Sequence, residues 1–271
     1  MTKGCVWKMT IQTIITTMNL VDASTLLEKI NIQTDFIIGN QTSYTKDERI
    51  FFNGHEGVTL SRCEKGVGRN RNLLLSKASA DVCVIADDDM VFYDNYETTV
   101  NELFRKHIDA DVLIFNIDSG GVLRRKNNKI KRVGRFNYMN YGAARIAFRR
   151  KSTSYYNISF NTNFGGGTLH SAGEDSLFIR ECLRNRLRVL AVPISIAKID
   201  DERESTWFRG YDDKYRFDKG VFLALAHPIL SNFFALYLMI RHPEFRGTKP
   251  LLKALVDVNN GINYVRKRKY I

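Results

Sequence analysis

The chain of 271 residues is poor in cysteine, and the cysteines it has do not form the pattern of a disulfide frame or a zinc site. The four of them, Cys5, Cys63, Cys83 and Cys182, are scattered along the sequence without a CxxC pair. Such a distribution is typical of reduced thiols in a cytosolic protein. The opening residues, MTKGCVWKMT, also lack the apolar core of a secretory signal. We therefore expect a cytoplasmic protein.

Acidic residues are scarce relative to basic ones. The sequence contains 41 lysines and arginines against 29 aspartates and glutamates, which gives a formal net charge of +12 at pH 7. This excess favours an anionic partner, such as a nucleic acid, an acidic lipid surface or a nucleoside diphosphate. No RNA- or DNA-binding motif is present, so we expect no nucleic-acid partner.

An uninterrupted apolar run of membrane-spanning length is also missing. Residues 221–240 come near that length, but His227-Pro228 and Ser231-Asn232 interrupt them, which predicts two packed or interfacial helices. Basic residues follow: Arg241, Arg246, Lys249, Lys253, Arg266, Lys267, Arg268 and Lys269. Two interpretations stay open. This extension either lies on an anionic membrane surface, peripherally on the inner face of the plasma membrane, or closes the core and carries a soluble basic tail.

The clearest feature that is present is residues 81–89, DVCVIADDD. Five apolar residues without a polar face predict a parallel strand covered on both sides. The strand ends in Asp87, Asp88 and Asp89, and ligands of open α/β sheets gather at the carboxyl ends of strands. Three adjacent like charges need a counter-cation, which a divalent metal carrying a diphosphate would supply. A solvated acidic turn is the alternative.

The flanking sequence predicts an α/β protein with a mostly parallel central sheet. Residues 11–17 and 34–39 are β-rich and enclose a helical stretch, which is the pattern of a βαβ unit. Residues 112–117 predict a further buried strand, and residues 189–199 one that Pro193 places at an edge or a bulge. Between residues 41 and 62 the sequence predicts irregular structure with one brief strand at residues 50–52.

A dinucleotide fingerprint is absent. Gly66 and Gly68 precede a predicted helix, but the third glycine that the fingerprint needs is replaced by Arg71. A Rossmann NAD site is therefore rejected. The two glycines still suit a close approach of the backbone to an anion, with Arg69 adding charge, or they form a loop with a helix cap.

A second acidic pair follows a glycine-rich loop. The loop contains Gly165, Gly166 and Gly167, and it leads into Glu174 and Asp175, which are predicted in the first turn of a helix. A helix dipole stabilises the carboxylate form at that position. Capping of the helix and catalysis are both open at this point.

In order and spacing these features resemble the inverting family 2 glycosyltransferases of the GT-A fold. The resemblance covers residues 9–209 and rests on four segments, with Trp207 as a further match: Thr16-Thr17-Met18-Asn19 after the first strand, Gly68-Arg69-Asn70, Asp87-Asp88-Asp89, and Gly173-Glu174-Asp175. Two departures stand out. Asn40-Gln41 occupy the place of the family's base-binding aspartate, and Ala86 replaces the first aspartate of its acidic signature.

The resemblance implies a role for each site residue. It implies donor binding by Asn19, Asn40, Arg69, Asp87 and Asp88, metal binding by Asp89 with Asp87 and His227, acceptor binding by Gly166, Gly167 and Trp207, and base catalysis by Asp175 with Glu174 orienting it. For His227 a structural role before proline is the alternative. The implied cofactor is Mn²⁺ or Mg²⁺.

The implied activity is transfer of a sugar from a nucleoside-diphosphate sugar, such as a UDP-sugar, to a hydroxyl of a glycan or lipid-linked sugar acceptor. It would proceed by a single displacement with metal assistance. A nucleotidyltransferase acting on a sugar phosphate is the first alternative, since it uses the same kind of site. A non-enzymatic nucleic-acid-binding protein, which would explain the basic charge, is the second. We predict a nucleotide-sugar-binding and catalytic domain over residues 1–205 and a helical, basic extension over residues 206–271.

Overall fold

A computed structural model of the chain describes residues 8–119, 126–199 and 210–267. Within these ranges the strands are β1 (Ile11–Met18), β2 (Asp35–Gln41), β3 (Lys46–Phe52), β4 (His55–Arg62), β5 (Val82–Asp87), β6 (Met90–Phe92), β7 (Val112–Asp118), β8 (Lys131–Arg132), β9 (Ile146–Arg149) and β10 (Val189–Ile199). The α-helices are α1 (Ala23–Lys29), α2 (Val67–Lys77), α3 (Tyr96–Lys106), α4 (Arg150–Tyr155), α5 (Glu174–Arg184), α6 (Asp213–Ala226), α7 (Ser231–Arg241) and α8 (Leu251–Lys267).

The strands of the described ranges form one mixed sheet with a parallel core. Their order is β3-β4-β2-β1-β5-β9-β7-β10-β6, with β8 beside β10. Strands β4, β2, β1 and β5 are parallel neighbours, and so are β7 and β10. The predicted α/β class is confirmed. The sequence pattern does not predict β9, which lies antiparallel between β5 and β7.

The parallel strands are apolar because both of their faces are covered. Val82, Val84 and Ala86 of β5 are fully buried, and they share a core with residues of β1, β2, β7 and α3. Four parallel strands end in register at one edge of the sheet, since Met18 lies beside Gln41, Gln41 beside Arg62, and Thr16 beside Asp87. This edge carries the acidic triplet.

The stretch between residues 41 and 62 is more regular than the sequence suggested. Strands β3 and β4 form an antiparallel hairpin, and β4 also pairs in parallel with β2. The hairpin turns at Asn53 and Gly54, whose φ angles are both positive, at 47° and 85°. Such a pair is what a tight two-residue hairpin turn requires. The expectation of irregular structure there was wrong, while the brief strand at residues 50–52 is confirmed as part of β3.

Strand β10 contains an irregularity at the predicted place. Its pairing with β7 shifts register between Ala191 and Ser195, around Pro193, whose nitrogen has no proton to donate to a neighbouring strand. The bulge interpretation of the proline is therefore confirmed.

By its contacts the chain divides into two compact units, Met1–Thr162 with Glu174–Glu204 and Asn163–Gly173 with Ser205–Ile271. The glycine-rich loop thus groups with the C-terminal helices, although the sequence prediction placed it in the catalytic domain. The predicted boundary between residues 205 and 206 lies outside the described residues, and the functional division stays a prediction.

Between residues 210 and 267 the second unit contains three α-helices that pack against one another. The predicted interruption at His227-Pro228 is confirmed, since it separates α6 from α7. Helices α6 and α8 approach at Gly220 and Gly261: a Cβ at Gly220 would lie 1.9 Å from the Val258 carbonyl oxygen, and one at Gly261 would lie 2.0 Å from that of Phe217. Of the helices in the described ranges, none has both the length and the hydropathy needed to cross a membrane.

Candidate active site

The first strand holds the acidic triplet in place at the edge of the sheet. Thr16 Oγ1 donates to Asp87 Oδ1 at 2.9 Å, and Thr17 Oγ1 donates to Asp88 Oδ2 at 2.6 Å. Asp87 is the last residue of β5, and Asp88 and Asp89 form the turn that leads into β6. All three aspartates are half-buried. The two threonines therefore fix two of the three carboxylates, those of Asp87 and Asp88, where a ligand can reach them.

Arg71 joins this acidic strand end to the start of α5. It lies in α2, and its side chain is only 4% exposed. Nη2 donates to Asp87 Oδ1 at 3.0 Å, while Nη1 donates to Asp175 Oδ1 at 3.0 Å and to Glu174 Oε1 at 3.2 Å. The two acidic groups that lie far apart in the sequence thus share one guanidinium.

The Arg71 cluster, which comprises Arg71, Asp87, Glu174 and Asp175, contains three carboxyl groups and one guanidinium. The guanidinium carbon lies 5.2 Å from the centre of the Phe160 ring, and the buried Nε has no hydrogen-bond partner among the described residues. Burial lowers the pKa of Arg71, but the three acidic groups outweigh it and hold that pKa above its ordinary value. The cluster carries more negative than positive charge if all three carboxyls are ionised.

Glu174 responds to this excess of negative charge. Burial and the neighbouring Asp175 raise the pKa of Glu174 from 4.5 to about 8, against the opposing effect of Arg71. Its side chain is 11% exposed, whereas that of Asp175 is 27% exposed. Gly142 lies beside Asp175, since a Cβ there would be 3.4 Å from Oδ2. Burial therefore favours the protonated form of Glu174, and Asp175 is the more accessible of the two.

The residues predicted to bind the donor lie around the same edge. Asn19 is exposed directly after β1, in the left-handed region with a φ of 51°, and Arg69 is exposed in the first turn of α2. Asn40 is buried, and both ends of its amide bind within the protein: Oδ1 accepts from Leu20 N at 3.0 Å, and Nδ2 donates to Ser61 Oγ at 3.1 Å. Asn40 thus orders the strand ends, and a direct contact with a base stays a prediction.

The glycine-rich loop, described within its own unit, is closed by hydrogen bonds and anchored to α6. Gly165 N donates to the His170 carbonyl oxygen at 2.8 Å, and Gly167 has a φ of 76°. His170 Nδ1 lies 2.8 Å from Asp218 Oδ1, and Ser171 N donates to Asp218 Oδ2 at 3.0 Å. The loop that carries Gly166 and Gly167 is therefore a shaped element. Their contact with an acceptor stays a prediction.

Whether the site can hold a metal ion depends on the carboxylate oxygens at the end of β5. Across residues 8–119, 126–199 and 210–267, no group of three or more His, Cys, Asp or Glu side chains is placed to hold an ion. A hard cation that arrives with a diphosphate needs only one or two carboxylates, because phosphate oxygens and water complete its coordination. Asp88 and Asp89 fit that requirement, whereas one oxygen of Asp87 is engaged by Arg71.

The last two predicted site residues are His227 and Trp207. The ring of His227, at the end of α6, stacks on Phe234 with 4.1 Å between ring centres. This contact supports a structural histidine, and its role as a metal ligand stays a prediction. Trp207 lies outside the described residues.

Arg71 is the site residue that sequence reasoning missed. In the sequence it appeared only as the residue that replaces a fingerprint glycine. Its position, four residues after Val67 and three before Leu74, puts it on the inward-facing stripe of α2. An arginine on a buried stripe of a helix needs acidic partners. This position in the sequence favours Arg71 over the exposed Arg69 as a site residue.

Comparisons with known proteins identify the fold. No family model and no curated protein matches the sequence. The crystal structure of S. aureus TarS 1–349 in complex with UDP-GlcNAc is 14% identical, covers 94% of this chain and 82% of its own, and has a TM-score of 0.65. The mannosyltransferase PcManGT from Pyrobaculum calidifontis, in complex with GDP-Man and Mn²⁺, is 13% identical, covers 97% and 76%, and has a TM-score of 0.50. These likenesses confirm the GT-A fold that the sequence resemblance implied.

Proposed function

We propose that this protein is a glycosyltransferase that moves a sugar from a nucleoside-diphosphate sugar to a hydroxyl of a glycan or lipid-linked sugar acceptor. The observation that carries the proposal is the Arg71 cluster, which brings an acidic strand end and a helix-start carboxylate pair together. Similar folds support it, because the TarS structure contains UDP-GlcNAc and the PcManGT structure is a complex with GDP-Man and Mn²⁺.

The edge of the sheet is the proposed donor site. Asn19 and Arg69 are exposed around it, and Arg69 supplies positive charge to a diphosphate at the start of α2. Asp88 and Asp89 would hold Mn²⁺ or Mg²⁺, with Asp87 kept in place by Thr16 and Arg71. Such an ion, when bound, neutralises charge that builds on the departing nucleoside diphosphate. A UDP-sugar is the proposed donor.

Asp175 is the proposed general base. It accepts the proton of the acceptor hydroxyl, whose oxygen attacks the anomeric carbon as the bond from that carbon to the diphosphate breaks. The nucleoside diphosphate leaves from the opposite face, so the configuration inverts. Glu174 is the more buried of the two side chains, at 11% exposure against 27% for Asp175, and is therefore less accessible to an acceptor hydroxyl. Arg71 holds Asp175 in a fixed relation to the strand end, which keeps base and donor in register.

The acceptor is proposed to contact Gly166 and Gly167, with Trp207 as a further contact. A closed loop with exposed backbone suits a sugar hydroxyl, because glycines let backbone groups approach a ligand closely. The proposed location is the cytoplasm, where nucleotide sugars would be available to the donor site.

The activity is tested in two steps. Nucleotide sugars are first screened by thermal shift with Mn²⁺ and then with EDTA, since a ligand that binds the native state raises the melting temperature. The best donor is then incubated with candidate acceptors, and the products are identified. Release of free nucleoside diphosphate supports the proposal. Release of pyrophosphate from a nucleoside triphosphate and a sugar phosphate would instead show a nucleotidyltransferase.

A further inference from the structure

Helix α7 exposes an apolar stripe on the side that faces away from α6 and α8. The side chains of the stripe, which we call the α7 face, are Ile229, Leu230, Phe233, Leu236, Tyr237 and Ile240, and they are between 43% and 93% exposed. The last four follow the spacing i, i+3, i+4 and i+7, which places them side by side along one helix surface. Large apolar side chains on one continuous strip of a surface mark an interaction site.

The exposure of the α7 face is not a consequence of poor packing. The opposite side of α7 carries Phe234, Ala235 and Met239, which are buried, and α7 packs against both α6 and α8. The helix is therefore apolar on both sides, although only one side is needed to complete the unit. A helix that is apolar all round is normally buried on all sides. We therefore expect a partner to cover the outer side of α7.

Helix α8 extends this surface. Its Leu252 and Val256 are 77% and 57% exposed and lie four residues apart, so they are neighbours on one side of the helix. The exposed Lys253 lies between them in the sequence. Two of the three C-terminal helices thus present apolar side chains to solvent.

The charged side chains at the two ends of α7 are basic with one exception, Glu244 after the helix, whose carboxylate lies 3.0 Å from His242 Nδ1. Between His227 and His242 the sequence contains no aspartate or glutamate, and Arg241 is exposed at the end of the helix. At the other end, Arg266 of α8 donates to Ser231 Oγ at 3.0 Å, and Lys267 is exposed beside it in the sequence. Cations therefore lie at both ends of the apolar stripe.

We propose that the α7 face binds an anionic lipid bilayer, with α7 lying in the plane of the head groups. Its apolar side chains would enter the acyl boundary, while Arg241, Arg266 and Lys253 would contact lipid phosphates. A helix of 11 residues is about 16 Å long, too short to cross a bilayer core of about 30 Å, so an in-plane orientation is the one that fits. Cations beside apolar side chains, without acidic residues among them, are complementary to anionic lipid rather than to a second copy of the same basic surface.

Docking would bring the chain to lipid-linked acceptors, and only that consequence rests on the proposed function. The binding itself is tested without any transferase measurement. The full chain is sedimented with vesicles of phosphatidylcholine containing one-third phosphatidylglycerol, and with vesicles of pure phosphatidylcholine. We expect co-sedimentation with the anionic vesicles at low salt, which lessens as added salt screens the basic residues.

The double variant Phe233→Ser with Ile240→Ser should weaken vesicle binding by about tenfold or more, because two large side chains no longer enter the bilayer. Arg241→Gln with Lys253→Gln should weaken it specifically for anionic vesicles. The matched control is Phe51→Ser with Ile108→Ser, which removes two side chains that are 71% and 81% exposed outside the second unit. All these positions are exposed, so melting temperatures should stay near that of the parent protein.

The proposal is overturned if the parent chain does not sediment with anionic vesicles at low salt, or if the control pair weakens binding as much as the α7 pair. It is also overturned if light scattering shows a dimer that only the α7 variant dissociates while vesicle binding is absent. That result would assign the face to a second copy of the chain.

Discussion

Each of the two units contains a buried arginine among carboxylates, and the balance of charge differs between them. In the second unit Arg216 is 2% exposed and each of its three nitrogens has a partner. Nε donates to Asp257 Oδ2 at 2.7 Å, Nη1 donates to the carbonyl oxygens of Tyr211 and Arg246 at 2.6 and 3.0 Å, and Nη2 donates to Asp213. Lys249 pairs with both aspartates. Two cations thus meet two carboxylates.

The Arg71 cluster has one cation for three carboxyl groups, and Arg71 Nε has no partner among the described residues. A purely structural pair gains nothing from such an imbalance, because a buried charge without compensation is destabilising. The excess of acid instead suits a site that a cation completes when the substrate arrives. The Arg216 cluster is therefore interpreted as structural and the Arg71 cluster as functional.

The largest expected effect comes from Asp175→Asn. The variant keeps the size and one acceptor oxygen of the side chain, so Arg71 retains a partner and donor affinity should hardly change. Transfer to the acceptor should fall by about 10²–10⁴-fold, which is the usual contribution of a general base. Single-turnover transfer, donor binding and melting temperature of this one variant give the result.

Asp257→Asn makes the same change beside Arg216 and serves as the control. It should leave the transfer rate of the folded protein unchanged and lower its stability. If Asp175→Asn folds and transfers at a near-normal rate, Asp175 has only a structural role, in the first turn of α5 and in its contact with Arg71. Glu174 would then be the next candidate for the base.

Replacing each arginine by methionine should separate the two clusters. Arg216→Met leaves Lys249 as the one cation for Asp213 and Asp257, and it should lower the free energy of unfolding by about 3–5 kcal/mol, with little effect on the rate of the folded protein. Arg71→Met should lower the transfer rate by about 10²-fold, because base and strand end lose their common partner. Denaturant unfolding and transfer assays, run on both variants, check this. Equal losses of rate in the two would remove the functional distinction.

Asp89→Asn should act on the metal and the donor rather than on the base. Loss of one charged contact costs about 1.5–3 kcal/mol, so the affinities for Mn²⁺ and for the nucleotide sugar should each fall by about 10- to 100-fold. Titration calorimetry with and without Mn²⁺ measures both. Donor and Mn²⁺ binding at the parent affinity would show that Asp89 is not a ligand. Asp94→Asn, nearby in the sequence but after β6, is the control and should change neither affinity.

Much of the fold could be predicted from the sequence, because the parallel strands are short apolar runs with clear ends. Strand β5 and the start of α5 lie where the sequence places them. Strand β4 was missed because its sequence, HEGVTLSR, alternates weakly, although Asn53-Gly54 before it is a strong hairpin signal. The short β9 was missed because its pairing partners are far away in the sequence.

The site was predicted only in part, because sequence shows which residues follow a strand but not which residues meet across the sheet. The two acidic groups were recognised separately. Their link through Arg71 depends on the angle at which α2 packs on the sheet. The raised pKa of Glu174 was also not foreseen, because the position at a helix start favours the ionised form, and burial next to Asp175 reverses that preference.

The last expected effect, which involves stability and no transfer step, is the pH dependence that Glu174 gives to folding. Its pKa is raised from 4.5 to about 8 in the folded protein, first by burial and then by Asp175. Between those values the native state holds a proton that the unfolded chain has released, so stability should fall as pH rises through this window. The slope is at most about 1.4 kcal/mol per pH unit for one proton. Glu174→Gln mimics the protonated form and removes this dependence.

Denaturant unfolding of parent and Glu174→Gln proteins from pH 5 to 9 measures that difference, which should widen up to about pH 8 in favour of the variant and then level off. Asp218 in the second unit gives the free energy of unfolding the opposite dependence on pH. Burial raises its pKa, but hydrogen bonds from His170, Lys214 and Ser171 outweigh burial and hold it below 3.8. The stability that Asp218 contributes is therefore present above pH 3.8 and is lost as pH falls further. Asp218→Asn should remove this loss of stability at acid pH and leave the dependence between pH 5 and 8 unchanged. Parallel curves for parent and Glu174→Gln across pH 5 to 8 would mean that Glu174 is ionised throughout, and that burial next to Asp175 does not raise its pKa.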